Sequence, residues 1–289
     1  MSSSHPLFLD HFAALASDYD VLLCDVWGVI HNGLAASAPA CDALRRVRAA
    51  GGTVIMVTNS PRPADAVMLQ LDQLGVARDS YDGVVTSGDV TRAVIAERPG
   101  KSVFHIGPPR DLPIFAGLDM PLADADTADY VVCSGLFDDT RETPEDYRAL
   151  LQRLKARDLF MACANPDVVV ERGDQLIYCA GALADLYAAL GGEVLFAGKP
   201  YQPIYLRALA KAESARGAKT PLGRVLAIGD SLRTDLKGAM SLGVDFLFMT
   251  SGIHAAEVGG SGDADPATLE AFFAQAGMMP KAVMHRLVW

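Results

Sequence analysis

Long apolar runs are missing from this 289-residue chain, and with them the means to cross a membrane. A spanning helix needs about 18–20 consecutive apolar residues, and nothing here approaches that. The opening Met1-Ser-Ser-Ser-His-Pro6 has no basic segment followed by an apolar one, which argues against an export signal. Basic runs are absent too. With a formal net charge of −10, the chain offers no positive face to attract nucleic-acid phosphates. Five cysteines, Cys24, Cys41, Cys133, Cys163 and Cys179, are odd in number, lie far apart and form no C-x-x-C pair. They read as reduced core thiols of a cytoplasmic protein. There is no G-x-x-x-x-G-K-[ST] or G-x-G-x-x-G cradle, which disfavours ATP or NAD as an obligatory cofactor. There is also no internal repeat.

What is present suits two folded cores, since 51% of the residues are hydrophobic and the length exceeds one average domain. Helical patterns alternate with short apolar strands: Pro39–Ala50 precedes Thr53–Val57, and Ala64–Leu74 precedes Val84–Thr86. That is the βαβ signature of a parallel sheet. The segment Lys101–Glu193 repeats the alternation, with strands expected near Val103–Ile106, Tyr130–Cys133 and Leu159–Ala162 and helices near Pro144–Ala156 and Ala180–Leu190. It is long enough for a separate α/β domain. Strand and helix resume from Tyr201 to Phe248. Gly259–Pro266 reads as a surface loop, and Ala267–Gln275 as an amphipathic helix.

Four segments carry the chemistry. The apolar run Val21–Cys24 ends in Asp25 and then Gly28, a buried parallel strand emptying into a tight turn, where open α/β sheets bind their ligands. A carboxylate there is a candidate nucleophile, although a turn former or helix cap has the same local sequence. Thr53–Val57 ends in Thr58-Asn59-Ser60, residue types that either serve a ligand or cap the following helix. Lys199 sits in the turn Ala197-Gly-Lys-Pro200 after the apolar run Val194–Phe196; an isolated lysine is otherwise a solvated charge. Finally, Val225–Ile228 leads into Gly229-Asp230, with Asp235 five residues later at a helix start. Paired carboxylates at a strand end suit a hard divalent cation.

In this order, the four segments resemble the haloacid dehalogenase (HAD) superfamily, and most closely its subfamily IIA of NagD-like and 4-nitrophenylphosphatase-like sugar phosphatases. Val85-Thr-Ser-Gly88, Cys163-Ala-Asn-Pro-Asp167 and Ala180-Gly-Ala182 look like further signatures of that subfamily. The resemblance implies an α/β fold: a Rossmann-like parallel-sheet core from residues 1–97 and 196–289, and an inserted C2-type α/β cap from residues 98–195. It implies a Mg²⁺-dependent phosphohydrolase acting on a small phosphorylated metabolite, with a homodimer left open. Asp25 would attack phosphorus and share the metal with Asp230, Asp235 and the Trp27 backbone carbonyl. The Thr58 hydroxyl and the Asn59 N–H would hold the transferring oxygens. Lys199 would pair with the phosphoryl group and Asp25. Asn165, Asp167, Arg172 and Tyr178 would lie where the cap selects substrate.

Trp27 departs from the pattern, because the subfamily's phosphatases carry Asp there as general acid and base. That proton transfer is commonly worth about 10²–10⁴ in rate. Three accounts stand open. His31, in the flap after the turn, delivers the proton. Or the leaving group needs none, as with an acyl phosphate, a phenolic phosphate or a halide. Or the protein binds a phosphorylated metabolite with little turnover. The pairs Arg110-Asp111 and Asp138-Asp139 read as an ordinary loop and an acidic turn.

Overall fold

The computed structural model describes residues 5–172, 175–259 and 265–289. The first four residues lie outside that description, as does most of the loop expected at Gly259–Pro266. The strands are β1 (Leu7–Phe8), β2 (Val21–Cys24), β3 (Thr53–Thr58), β4 (Gly83–Thr86), β5 (Val103–Ile106), β6 (Tyr130–Cys133), β7 (Met161–Cys163), β8 (Val169–Arg172), β9 (Gln175–Tyr178), β10 (Val194–Phe196), β11 (Val225–Gly229), β12 (Asp245–Met249) and β13 (Ala282–Met284). The chain divides into two compact units, one of 1–58, 68–85 and 205–289, the other of 59–67 and 86–204.

The first unit is built on a seven-stranded sheet of order β1-β13-β12-β11-β2-β3-β4. Its central strands β2, β3 and β11 are buried at every position. A strand covered on both faces needs apolar side chains on both, so these segments run continuously apolar instead of alternating. The crossover helices Ala38–Ala49 and Gln202–Arg216 supply cover, the first capped at Ser37, whose hydroxyl accepts the Ala40 N–H. Val21 pairs with Thr53 on one side and with Val225 on the other, so β2 sits between a near neighbour in sequence and a very distant one.

The second unit has a four-stranded parallel sheet of order β10-β7-β6-β5 and a separate antiparallel pair, β8 with β9. Successive residues of β6 face opposite cores. Val131 and Cys133 pack with Leu151, Leu154, Leu183 and Tyr187 from the helices Arg148–Ala156 and Ala180–Ala189. Tyr130 and Val132 pack with Ile95, Ile114 and Phe115 on the other side. The expected strand Leu159–Ala162 begins two residues late. Asp158 adopts φ 51° and the Leu159 N–H still returns to the Leu154 carbonyl, so the helix ending occupies the start of that segment. The expected helix Pro144–Ala156 opens as a tight turn, Pro144–Tyr147, set by a reciprocal Thr143–Asp146 cap. Arg110-Asp111 belongs to a 3₁₀ stretch, Pro109–Phe115, with Asp111 buried, so it is not an ordinary loop. Asp139 does more than turn the chain, since Arg110 and Arg172 both pair with its carboxylate.

All five cysteines are free and buried. Burial pushes the Cys133 thiol up to about 12 and raises those of Cys163 and Cys179, which keeps them as protonated packing groups. Among the described residues no helix is long and apolar enough to cross a membrane.

Candidate metal and nucleophile site

Two adjacent strands bring the first unit's carboxylates together. Cys24 of β2 is level with Ile228 of β11, and the Asp25 N–H continues the ladder to the Ile228 carbonyl at 2.8 Å. Asp25 and Asp230 therefore emerge side by side where both strands end, the position at which parallel sheets present ligands. Asp235 returns to the same place through a single π-helical turn, Leu232–Leu236, in which the Asp235 and Leu236 N–H groups both reach the Ser231 carbonyl. Carboxylate oxygens of Asp25, Asp230 and Asp235 all lie within 4.8 Å of one another, on side chains only 7, 6 and 4% exposed.

Three glycines make the room. A Cβ at Gly28 or at Gly252 would fall on the Asp230 carboxylate, and one at Gly229 would fall on that of Asp235. Backbone donors fix the oxygens: the Ile253 N–H bonds Asp230 Oδ2 at 2.9 Å, and the Ser231 N–H bonds Asp235 Oδ2 at 3.3 Å. Three buried carboxylates so close repel one another strongly in a low dielectric. An all-oxygen set of this kind fits a hard divalent cation. Asp25, Asp230 and Asp235 are the residues that would hold it.

Trp27 lies in the turn that follows Asp25. Gly28 takes φ +85° and its N–H closes onto the His31 carbonyl at 2.9 Å. The indole meets the His31 ring edge to face, centroids 4.9 Å apart, and Gly33 leaves space for it, since a Cβ there would sit 2.7 Å from Trp27 Cζ2. The buried His31 ring accepts the Gly33 N–H at Nδ1, 3.0 Å, so in its neutral form the proton is on Nε2. Thr58 ends β3 and is buried.

In the second unit, Asn59 holds Lys199 by its backbone. The Asn59 amide oxygen accepts the Lys199 N–H at 2.7 Å while Nδ2 donates to the Lys199 carbonyl at 3.3 Å and to Asp167 Oδ1 at 2.9 Å. Asn165 Oδ1 in turn accepts the Asp167 N–H at 3.1 Å. Gly198 and Gly181 allow this packing, because a Cβ on either would strike Asn59 or the Pro166–Asp167 backbone. Asn59, Asn165 and Asp167 thus form one network around Lys199, a side-chain role for Asn59 that its sequence position did not announce. Arg172 is tied to Asp139 at 3.2 Å, and Tyr178 at the end of β9 is exposed. Sequence reasoning passed over Gly252 and the loop beyond it; an apolar strand, Asp245–Met249, followed by Ser251-Gly252 was the available signal.

This fold and this strand-end acidic site define a Rossmann-like α/β core with an inserted unit. A family model for haloacid dehalogenase-like hydrolases matches residues 22–120, and a HAD-hydrolase-like model matches 196–271. A Brucella suis 1330 hydrolase of the haloacid dehalogenase-like family is 51% identical, with TM-score 0.88, over 97% of this chain and 100% of that one. The chain belongs to the haloacid dehalogenase-like hydrolases. It is 27% identical over 248 residues to a D-glycerol 3-phosphate phosphatase of Mycobacterium tuberculosis, a match spanning 84% of this chain but only 66% of the relative. A glycerol phosphate phosphatase from the same organism, solved with calcium, shares 25% identity and a TM-score of 0.63 over 82% of this chain and 68% of that one.

Proposed function

We propose that the protein is a Mg²⁺-dependent phosphatase of a small phosphorylated metabolite, with Asp25 as nucleophile. The observation that carries this reading is the buried set of three carboxylates at the ends of β2 and β11; the phosphatase names of its relatives support it. When bound, the cation polarises the phosphoryl oxygens and offsets their charge against that of the carboxylates. Asp25 attacks phosphorus with one oxygen, the bond to the leaving oxygen breaks, and water then hydrolyses the aspartyl phosphate. Trp27 has no proton for the leaving group. His31, with its Nε2 proton, is the donor we assign if one operates; otherwise the leaving oxygen departs as an anion, and good leaving groups are favoured. Phosphoryl contacts at Thr58, Asn59 and Lys199, and substrate selection by the inserted α/β unit at Asn165 and Asp167, belong to the same proposal. The five buried free thiols support a reducing, cytoplasmic setting.

The test is phosphate release with Mg²⁺ or EDTA over 4-nitrophenyl phosphate, acetyl phosphate and a panel of sugar, nucleotide and cofactor phosphates, with Asp25→Asn as control. Metal-dependent turnover, lost in the control, is expected. Silence across the panel from folded protein that binds Mg²⁺ would favour the second reading, a phosphometabolite-binding protein in which Trp27 has replaced the catalytic proton donor.

A further inference from the structure

The loop after β12 touches the acidic site at two points. The first is the Ile253 N–H on Asp230. The second is one residue on, where the Leu232 backbone N–H donates to His254 Nε2 at 3.3 Å. Leu232 opens the helical turn that carries Asp235, and the first N–H groups of a helix have no carbonyl partner within it. The bond also fixes the imidazole. Because a backbone N–H can only donate, Nε2 must present its lone pair, so the ring proton resides on Nδ1 and goes to Glu257 Oε1 at 2.8 Å. The ring plane is set by aromatic neighbours, stacked on Phe248 at 6.3 Å and edge-on to Phe272 at 5.2 Å. Glu257 itself stands largely in solvent, with its side chain 59% exposed against 19% for His254.

We propose that His254, oriented by Glu257, is a positioning residue for the metal carboxylates: it holds the entrance of the turn between Asp230 and Asp235 from a loop that also grips Asp230. The turn transmits that hold directly, since Ser231, beside Leu232, accepts the Asp235 N–H at 3.1 Å and gives its own N–H to the Asp235 carboxylate. Groups that orient metal ligands from behind typically change metal affinity about 10–100-fold when removed. This inference rests on the metal reading of the acidic site, and the experiment separates the two.

Amide hydrogen exchange over Leu232–Leu236 is measured without metal, and Mg²⁺ binding is measured by calorimetry, for the parent, His254→Ala, His254→Gln and Glu257→Ala. Faster exchange and roughly tenfold weaker Mg²⁺ binding are expected in His254→Ala. His254→Gln keeps an oxygen that can accept the Leu232 N–H and should recover most of both. Glu257→Ala alters only an exposed side chain, leaves the fold intact and should fall between. Parent-like exchange and Mg²⁺ affinity in both alanine variants would overturn the proposal, as would failure of His254→Gln to recover either, which would reduce His254 to packing. A parent that binds no Mg²⁺ refutes the metal reading instead, while the exchange data still decide the role of His254.

Discussion

At the scale of single residues, the proposed chemistry turns on what stands two positions after Asp25. Asp25 sits beside the carboxylates of Asp230 and Asp235, whereas Trp27 is seated by Gly33 and His31. Replacing Trp27 by Asp should restore a proton donor and raise kcat on alkyl phosphates by about 10²–10⁴ while changing 4-nitrophenyl phosphate much less. Equal gains on both substrates would show that the pocket, and not the missing acid, limits turnover. Asp25→Asn should cost at least about 10³ in kcat on every substrate. Asp25 and Asp230 stand out in the sequence because each ends an apolar run, and Asp235 because it pairs with Asp230 five residues later. His254 and Gly252 do not. His254 meets Leu232 through a backbone N–H, which leaves no pattern in the sequence, and Gly252 makes room for Asp230, a role hinted at only by its place after an apolar strand.

The elements show a similar division. Strands β2, β3 and β11 were readable as unbroken apolar runs, since full burial dictates their composition. The edge pair β1 and β13 was not, because two or three residues carry no period and gain their structure only from the neighbouring strand. The antiparallel pair β8 and β9 escaped for a related reason: the exposed Gln175, Leu176 and Tyr178 give no clean alternation. The helices capped at Ser37 and Asp265 met their expected spans within about two residues, whereas the one expected from Pro144 becomes α-helical only at Arg148 despite its Thr143–Asp146 cap. Gly252 tests the loop as an element. Alanine there should force the Asp230 carboxylate aside, lower stability by about 1–3 kcal/mol and weaken Mg²⁺ binding, as read by urea titration and calorimetry. In the inserted unit, Leu154 is wholly buried between helix and sheet, so Leu154→Ala should cost about 2–5 kcal/mol in a denaturation experiment.

For the whole molecule, acid is the informative stress. Burial drives the His105 pKa from 6.5 down to about 4, and its Nε2 is bonded to Ser134 Oγ at 2.8 Å. An unfolded chain takes up a proton between pH 6.5 and 4 that the folded imidazole refuses. Stability from this source is therefore complete above pH 6.5 and is lost as the pH falls through that window, approaching roughly 3 kcal/mol. Asp111, bonded to the same serine, works the other way: burial raises its carboxyl pKa, so the fold takes up that proton first and recovers stability as the pH falls. Chemical denaturation at pH 7 and pH 4.5 should show a smaller acid loss in His105→Gln than in the parent. Equal losses would remove His105 from the account.

The pairing of β2 with β11 also bears on how the chain is made. Leu22 must find Leu226, roughly 200 residues later, whereas the inserted sheet needs only partners between Val103 and Phe196. On the ribosome, the inserted unit is complete while Val21–Cys24 still waits, greasy and half-covered, for its missing neighbour. Released chains truncated just before residue 225 should accordingly resist protease across the insertion and be cut near Asp25, the segment left bare by the late arrival of one strand.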